Sequence, residues 1–340
     1  MRYKIFIILL GVFVYAPITH AQFSAAPDPL QFIVAPEAPG PNQLVAIEAQ
    51  GVGAFLGNAT VTWQVNGTTV RSGVGATTFS LTTGGVGTAT RVHVIINSTT
   101  NGTMTRDFVF SPSVINLVWE ARTTAPLFYK GKTLYSAGST LKVVAYPTVA
   151  SGRSLVSADK LSYQWSREGV LDPHASGLGK SVFTFTGDEI QNGEQVSVEV
   201  YFGGSKVGYS EIFIPASDPS VIVYDRDPLR GELLDFALPA SFNLSSKEVT
   251  LEAEPYFFAK NPAHNTLSYV WTLNGEETAG PESALGLLTL RQTSAGTGAA
   301  DVGVSLQNVD PNFFTQAASQ SLKILFGQSG GTSLTSLFGI

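Results

Sequence analysis

The sequence contains no cysteine. That excludes disulfides, thiolate metal sites, thiol nucleophiles and attachment through a lipid-modified cysteine. Each folding unit must therefore be held by its apolar core. Histidine is scarce too: His20, His93, His174 and His264 are the only four. No two of them stand at metal-ligand spacing, and there is no G-x-S-x-G elbow with which to build a Ser-His-Asp constellation. Charged residues make up 14% of the chain, and no lysine occurs between Lys4 and Lys130. A net charge of −6 without a basic block argues against nucleic acid and anionic membrane surfaces as partners. Helical periodicity over long stretches is missing, as is any apolar run of the ~20 residues that a membrane-spanning helix needs. These absences point to a non-enzymatic protein with no cofactor.

What is present starts with "MRYKIFIILLGVFVYAPITHAQFS". Arg2 and Lys4 form a basic segment, Ile5 to Tyr15 an apolar core, and Thr19-His20-Ala21 a cleavage site. Residues 1–21 therefore read as a secretory signal peptide, with an uncleaved N-terminal anchor as the alternative. The expected location is extracytoplasmic, either secreted or associated with the cell envelope. Five Asn-x-Ser/Thr sequons, at Asn58, Asn66, Asn97, Asn101 and Asn243, are glycosylation acceptors in a eukaryotic host and ordinary strand and turn sequence in a bacterial one.

The body of the chain repeats itself. "VTWQVNG" from Val61, "LSYQWSREG" from Leu161 and "LSYVWTLNG" from Leu267 place Trp63, Trp165 and Trp271 at spacings of 102 and 106 residues. Val92, Val196 and Val302 keep step with them. Each copy closes on an apolar run: "FVF" from Phe108, "IFI" from Ile212 and "LKILF" from Leu322. Within a copy, apolar and polar residues alternate, and Gly, Pro, Asn and Ser punctuate the turns. That is the pattern of short antiparallel strands joined by hairpins. Many short strands per hundred residues predict a two-sheet sandwich with the tryptophans as its core. The expected fold class is all-β: three tandem immunoglobulin-like sandwiches. Their expected limits are 22–111, 112–215 and 216–327, followed by a Gly/Ser-rich, apolar-ended tail over 328–340.

The Tyr269, Trp271, Asn274, Gly275 pattern resembles bacterial immunoglobulin-like and PKD-like modules. The longer strings "INLVWEARTTAPLFYKGKTLYSAGSTLKVVAYP" and "VTLEAEPYFFAKNPAHNTLSYVWTLNG" resemble exported bacterial proteins built of such domains. The resemblance covers most of the chain after residue 21. It implies a fold and a compartment and carries no activity with it. The W-x-F-G-D-G string of PKD domains is absent, and Trp165 is followed by Ser-Arg-Glu-Gly.

Few residues offer chemistry. "HASGLGKS" (His174 to Ser181) ends like a phosphate-binding loop, but a glycine is required where His174 stands, and the repeat aligns it with the turn "SGVGATTFSL" at Ser72. Asp225 and Asp227 are two residues apart and are weak Ca²⁺ candidates; a polar turn is the alternative. Phe128, Tyr129 and Tyr135 form an aromatic group suited to packing between modules or to binding a sugar or peptide. Leu334, Leu337, Phe338 and Ile340 give the tail an uncharged apolar stretch, a candidate attachment element with a loose tail of no consequence as the alternative. The function these features suggest is a cell-surface or envelope spacer, structural or adhesive, with a protein or glycan partner. The alternative is a carbohydrate-binding or accessory module of a pilus or secretion assembly. The sequence leaves the oligomeric state open.

Overall fold

The computed structural model describes residues 30–327 apart from 52–54, 191, 228, 234–235, 245, 261–266, 279, 294–295 and 309–314. The expected signal peptide (1–21), His264 and the tail residues Leu334, Leu337, Phe338 and Ile340 lie outside the described residues.

Among the described residues, twenty-five strands fall into three groups. Module 1 contains β1 (Leu30–Ala35), β2 (Leu44–Gly51), β3 (Thr60–Val65), β4 (Thr68–Val74), β5 (Thr78–Thr82), β6 (Thr90–Ser98) and β7 (Gly102–Phe110). Module 2 contains β8 (Val114–Arg122), β9 (Thr140–Thr148), the small pair β10 (Ala150–Ser151) and β11 (Ser154–Leu155), β12 (Ser162–Arg167), β13 (Val170–Leu178), β14 (Val182–Thr186), β15 (Gly193–Phe202) and β16 (Ser205–Pro215). Module 3 contains β17 (Ser220–Asp227), β18 (Gly231–Leu233), β19 (Ser241–Asn243), β20 (Glu248–Tyr256), β21 (Leu267–Leu273), β22 (Glu276–Thr278), β23 (Leu287–Arg291), β24 (Gly298–Asn308) and β25 (Ala317–Phe326).

The sheet orders repeat. Module 1 sets β1-β2-β5 against β4-β3-β6-β7, and module 2 sets β14-β9-β8 against β13-β12-β15-β16. Module 3 elaborates the same plan as β18-β17-β20-β23 and β19-β25-β24-β21-β22. This is the immunoglobulin-like two-sheet arrangement, three times in tandem. Strands alternate as a half-buried sheet requires: β2 buries Val45, Ile47 and Ala49, and β6 buries Val92, Val94 and Ile96. Each module has its own apolar core drawn from both of its sheets.

The repeated phrase now has a local cause. Trp63 pairs with Val94, Trp165 with Val198 and Trp271 with Val304, and all three indoles are buried. Three residues later a tight hairpin turns on Asn66-Gly67, Glu168-Gly169 or Asn274-Gly275, with φ of 50° and 83°, 50° and 75°, and 52° and 86°. Paired positive φ values define the turn that matches strand twist, and glycine adopts its second position without steric cost. The first turn residue is then locked to the neighbouring strand. Asn66 N donates to Arg91 O, and Arg91 N donates to Asn66 Oδ1 at 3.0 Å. Asn274 and Asp301 repeat both bonds. Glu168 does the same with Gln195, its longer carboxylate accepting at 2.6 Å. The departure in the second copy thus preserves the hydrogen bonds that asparagine makes in the others.

Candidate functional site at the module joints

The most elaborate constellation outside the cores is the joint between modules 2 and 3. After β8 the chain runs through "TTAPLFYKGKTLYSAGS" before β9 begins. Thr123 Oγ1 donates to Leu134 O, and Thr133 Oγ1 donates to Ala121 O, both at 2.9 Å, which closes this segment on itself. Lys132 Nζ lies 3.1 Å from the ring centroid of Trp119, pinning the segment to β8, and partial burial holds its ammonium below the usual lysine range.

The segment then pairs with the loop that follows β20. Thr124 N donates to Phe258 O and Phe257 N to Thr124 O, each at 2.7 Å. Lys260 N donates to Arg122 O at 3.0 Å, and Phe258 N donates to Thr124 Oγ1 at 2.9 Å. Backbone from two modules therefore forms a short antiparallel ladder centred on a Thr123–Ala259 bridge. Phe258 is fully buried, which stabilises by about 1.5–3 kcal/mol. Phe128 packs edge-on to Tyr224, and Tyr129 packs edge-on to both Tyr256 and Phe257. Such ring pairs add about 0.5–1.5 kcal/mol each. The Tyr224 and Tyr256 hydroxyls are 2.8 Å apart; burial, then that contact, pushes the Tyr256 hydroxyl above the usual tyrosine range.

Gln316 completes the joint. It is buried, its Oε1 accepts from Ala259 N at 2.7 Å, and its Nε2 donates to Ser136 Oγ at 3.0 Å and Ala137 O at 2.8 Å. Gln316→Ala is expected to cost about 1–3 kcal/mol, because it leaves a buried Ala259 N–H without an acceptor. Calorimetry should then resolve separate transitions for modules 2 and 3 where the parent is expected to give one merged transition. Unchanged merging would show that the glutamine does not couple the modules.

Tyr135 separates from the other two aromatics. It is buried inside module 2, where its hydroxyl donates to Glu194 Oε1 at 3.0 Å. Burial, then Glu194, raises that hydroxyl's pKa. Glu194, with no exposure, also accepts two bonds from Arg167, at 2.6 and 2.9 Å, and one from Asp188 N at 2.6 Å. The guanidinium lies 4.8 Å from the Phe185 ring centroid. Tyr135 O in turn accepts from Ser217 N at 2.7 Å, so this network abuts the start of module 3.

The joint between modules 1 and 2 is built differently. A polar cleft is lined by Glu37, Gln43, Ser113, Lys206 and Tyr209. Lys206 Nζ bonds Glu199 at 2.6 Å and stands 3.6 Å from Glu37 across the joint. The Lys206 and Tyr201 hydrogen bonds hold Glu199 below the usual carboxylate range, and donation to Glu199 pushes the Tyr201 hydroxyl up to about 12.

The remaining sequence candidates occupy ordinary positions. Asp225 and Asp227 lie at the end of β17. Asp227 Oδ1 accepts from Leu229 N and Arg230 N at 2.8 and 2.9 Å, and those bonds lower its pKa. Burial, then Asp227, raises that of Asp225. Glu252 pairs with Arg226. No group of three or more His, Cys, Asp or Glu residues suited to a metal occurs among the described residues. The chain after Asp227 returns as β18, which pairs with β17 in an antiparallel hairpin. "HASGLGKS" runs from β13 into a turn, with Gly179 at φ 72° and Lys180 Nζ donating to His174 O. His93 faces away from the core and contacts Asp107 at 2.7 Å.

No protein-family model matches the sequence, and no curated protein does. Several solved structures are similar over most of this chain. The three N-terminal domains of the bacteriophage RB49 Hoc outer capsid protein are 15% identical, with 88% of this chain and 98% of that chain covered and a TM-score of 0.25. The central fibronectin-III array of RIM-binding protein is 11% identical, with 88% and 96% covered and a TM-score of 0.32. SGBP-B of a Bacteroides ovatus mixed-linkage glucan utilization locus, solved in complex with a mixed-linkage heptasaccharide, is 10% identical, with 87% and 70% covered and a TM-score of 0.21. The class is fixed by the sheet order itself: the chain is a tandem array of immunoglobulin-like sandwiches. No helix among the described residues is long and apolar enough to cross a membrane.

Proposed function

We propose that the chain is a non-enzymatic, extracytoplasmic spacer that carries module 1 on a stiff pair formed by modules 2 and 3. The observation supporting this reading is the backbone ladder at Thr124 and Phe258, closed by Gln316. A joint of that kind holds an angle between modules, which a flexible linker does not. The exported compartment rests on the signal-like segment 1–21. The test exchanges residues 112–327 for an unrelated rigid sandwich pair of equal length, or for a flexible Gly/Ser linker. The rigid exchange should preserve antibody access to module 1 on intact cells, and the flexible exchange should reduce it several-fold. Equal access with both would defeat the spacer reading.

A second reading, glycan binding by module 1, has its own support. The outer face of β3, β6 and β7 groups Thr60, Thr62, Asn97, Thr103 and Thr105 around Ile95, beside the His93–Asp107 contact. A glycan array with and without module 1 separates the two readings.

A further inference from the structure

The edge strand β16 of module 2 presents Tyr209, Glu211 and Phe213 on the outer face of its sheet. The core sets the parity: Val196, Val198 and Val200 of β15 are buried, so the residues between them face out. Across the ladder Tyr209 pairs with Glu199, Glu211 with Ser197 and Phe213 with Gln195. One strand further, Gln164 stands beside Glu199 and Ser166 beside Ser197. Both rings are open, Tyr209 47% and Phe213 56% exposed, yet neither sits in an aliphatic patch. The exposed leucines of this sheet, Leu171 and Leu178, are three strands away on β13. The rings are also held in place. Phe213 lies across Gly193, where a Cβ would come within 2.5 Å of the ring, so one ring face rests on the sheet and the other meets water. The Tyr209 hydroxyl donates to Glu211 Oε2 at 2.6 Å, and Tyr201 and Lys206 each donate to Glu199 at the same distance. Beyond Tyr209 the face runs into the joint cleft of about 300 Å³, where Lys206, Gln43, Glu37 and Ser113 converge.

We propose that this face, from Phe213 to the joint cleft, binds a neutral oligosaccharide. A sugar offers an apolar C–H face to stack on an aromatic ring and a rim of hydroxyls that donate and accept. The face complements both. Tyr209 and Phe213 are four residues apart on one strand, about 13 Å at about 3.3 Å per residue, a span that takes a chain of sugars rather than a single one. Between them Glu211 takes the Tyr209 and Gln195 bonds on Oε2, which leaves Oε1 for a ligand hydroxyl. Ser197, Gln164 and Ser166 add neutral donors and acceptors alongside. Charge then selects among ligands. Glu37, Glu199 and Glu211 outnumber Lys206, so the face repels uronates, sulfates and phosphates. A cationic side chain is disfavoured too, because Lys206 already bonds Glu199 and stands 5.6 Å from the Tyr209 ring centroid. An uncharged, hydroxyl-rich ligand meets neither penalty. The site lies on module 2 and at its joint, apart from the threonine face of module 1, and does not depend on the spacer reading.

The full chain is screened on an array of neutral, acidic and amino-substituted oligosaccharides, with a lysine-rich peptide as a further probe. The expected result is binding to a neutral oligosaccharide longer than a disaccharide, with an affinity unchanged as salt is raised. Tyr209→Ala and Phe213→Ala should each weaken that binding about tenfold, the loss of one stacked ring. Both rings lie outside the core, so the melting temperature should hold. Glu211→Gln keeps the shape and both rings; it should weaken binding several-fold, which separates a lost ligand contact from a folding defect. Thr62→Ala on module 1 should leave binding unchanged. Binding lost in Thr62→Ala but kept in Tyr209→Ala would move the ligand to module 1 and overturn the proposal. So would selective binding of the lysine-rich peptide or of acidic sugars, an affinity that falls with salt, or no binding on the array.

Discussion

Glu194→Ala is expected to lower the stability of module 2 by about 3–5 kcal/mol, the cost of breaking a buried ion pair from one side. The substitution removes the acceptor for two Arg167 bonds, the Tyr135 hydroxyl and the Asp188 amide together. Arg167 retains partial exposure and its contact with Phe185, so the guanidinium is not stranded completely. The Tyr135 hydroxyl keeps a second acceptor in Asp188 O at 3.2 Å, while the Asp188 amide loses its side-chain acceptor. Glu194→Gln keeps the shape and one acceptor and should cost less. Calorimetry of the full chain reads both, and a transition of modules 2 and 3 unmoved by Glu194→Ala would show that the pair contributes nothing net to stability.

The second large effect lies in the tryptophans. Trp165→Ala and Trp271→Ala should each cost about 3–5 kcal/mol in their own modules. Substitution by phenylalanine separates them. Trp63 Nε1 donates to Ala76 O and Trp165 Nε1 to Lys180 O, both at 2.8 Å, whereas the buried Trp271 Nε1 has no acceptor among the described residues. Trp165→Phe therefore leaves Lys180 O without its donor, adding about 1–3 kcal/mol to the packing loss. Trp271→Phe loses packing but also removes an unpaired buried N–H. It should be the milder change by at least about 1 kcal/mol, measured by denaturant unfolding of the full chain. An unaltered module 3 midpoint in Trp271→Ala would mean that the ring is not part of the core.

The fold was largely legible because its signals are local and written three times. Trp63, Trp165 and Trp271 fall on strands in one register, and the Asn-Gly or Glu-Gly pair that follows encodes the turn directly. The joint was only half legible. Phe128 and Tyr129 announced an aromatic surface, yet Tyr135, grouped with them by proximity in sequence, points into its own module. Gln316 gave no signal at all. Its partner Ser136 is 180 residues away, and one polar residue in a loop carries no periodicity to betray such a contact. Arg167 and Glu194 were findable in principle. Strand alternation assigns both to inward-facing positions, and two opposite charges there call for each other.

That buried pair also bears on how a chain of three similar units avoids assembling wrongly. Neighbouring sandwiches with the same strand order can exchange strands while folding, a characteristic failure of tandem repeats. If β21 took the place of β12, Leu273 would lie where Arg167 belongs, and the Glu194 carboxylate would be enclosed without its counter-ion. The reverse exchange would thrust Arg167 into a hollow lined by leucines, opposite Ala300. Either hybrid encloses an isolated charge, so each strand carries a mark of the unit to which it belongs.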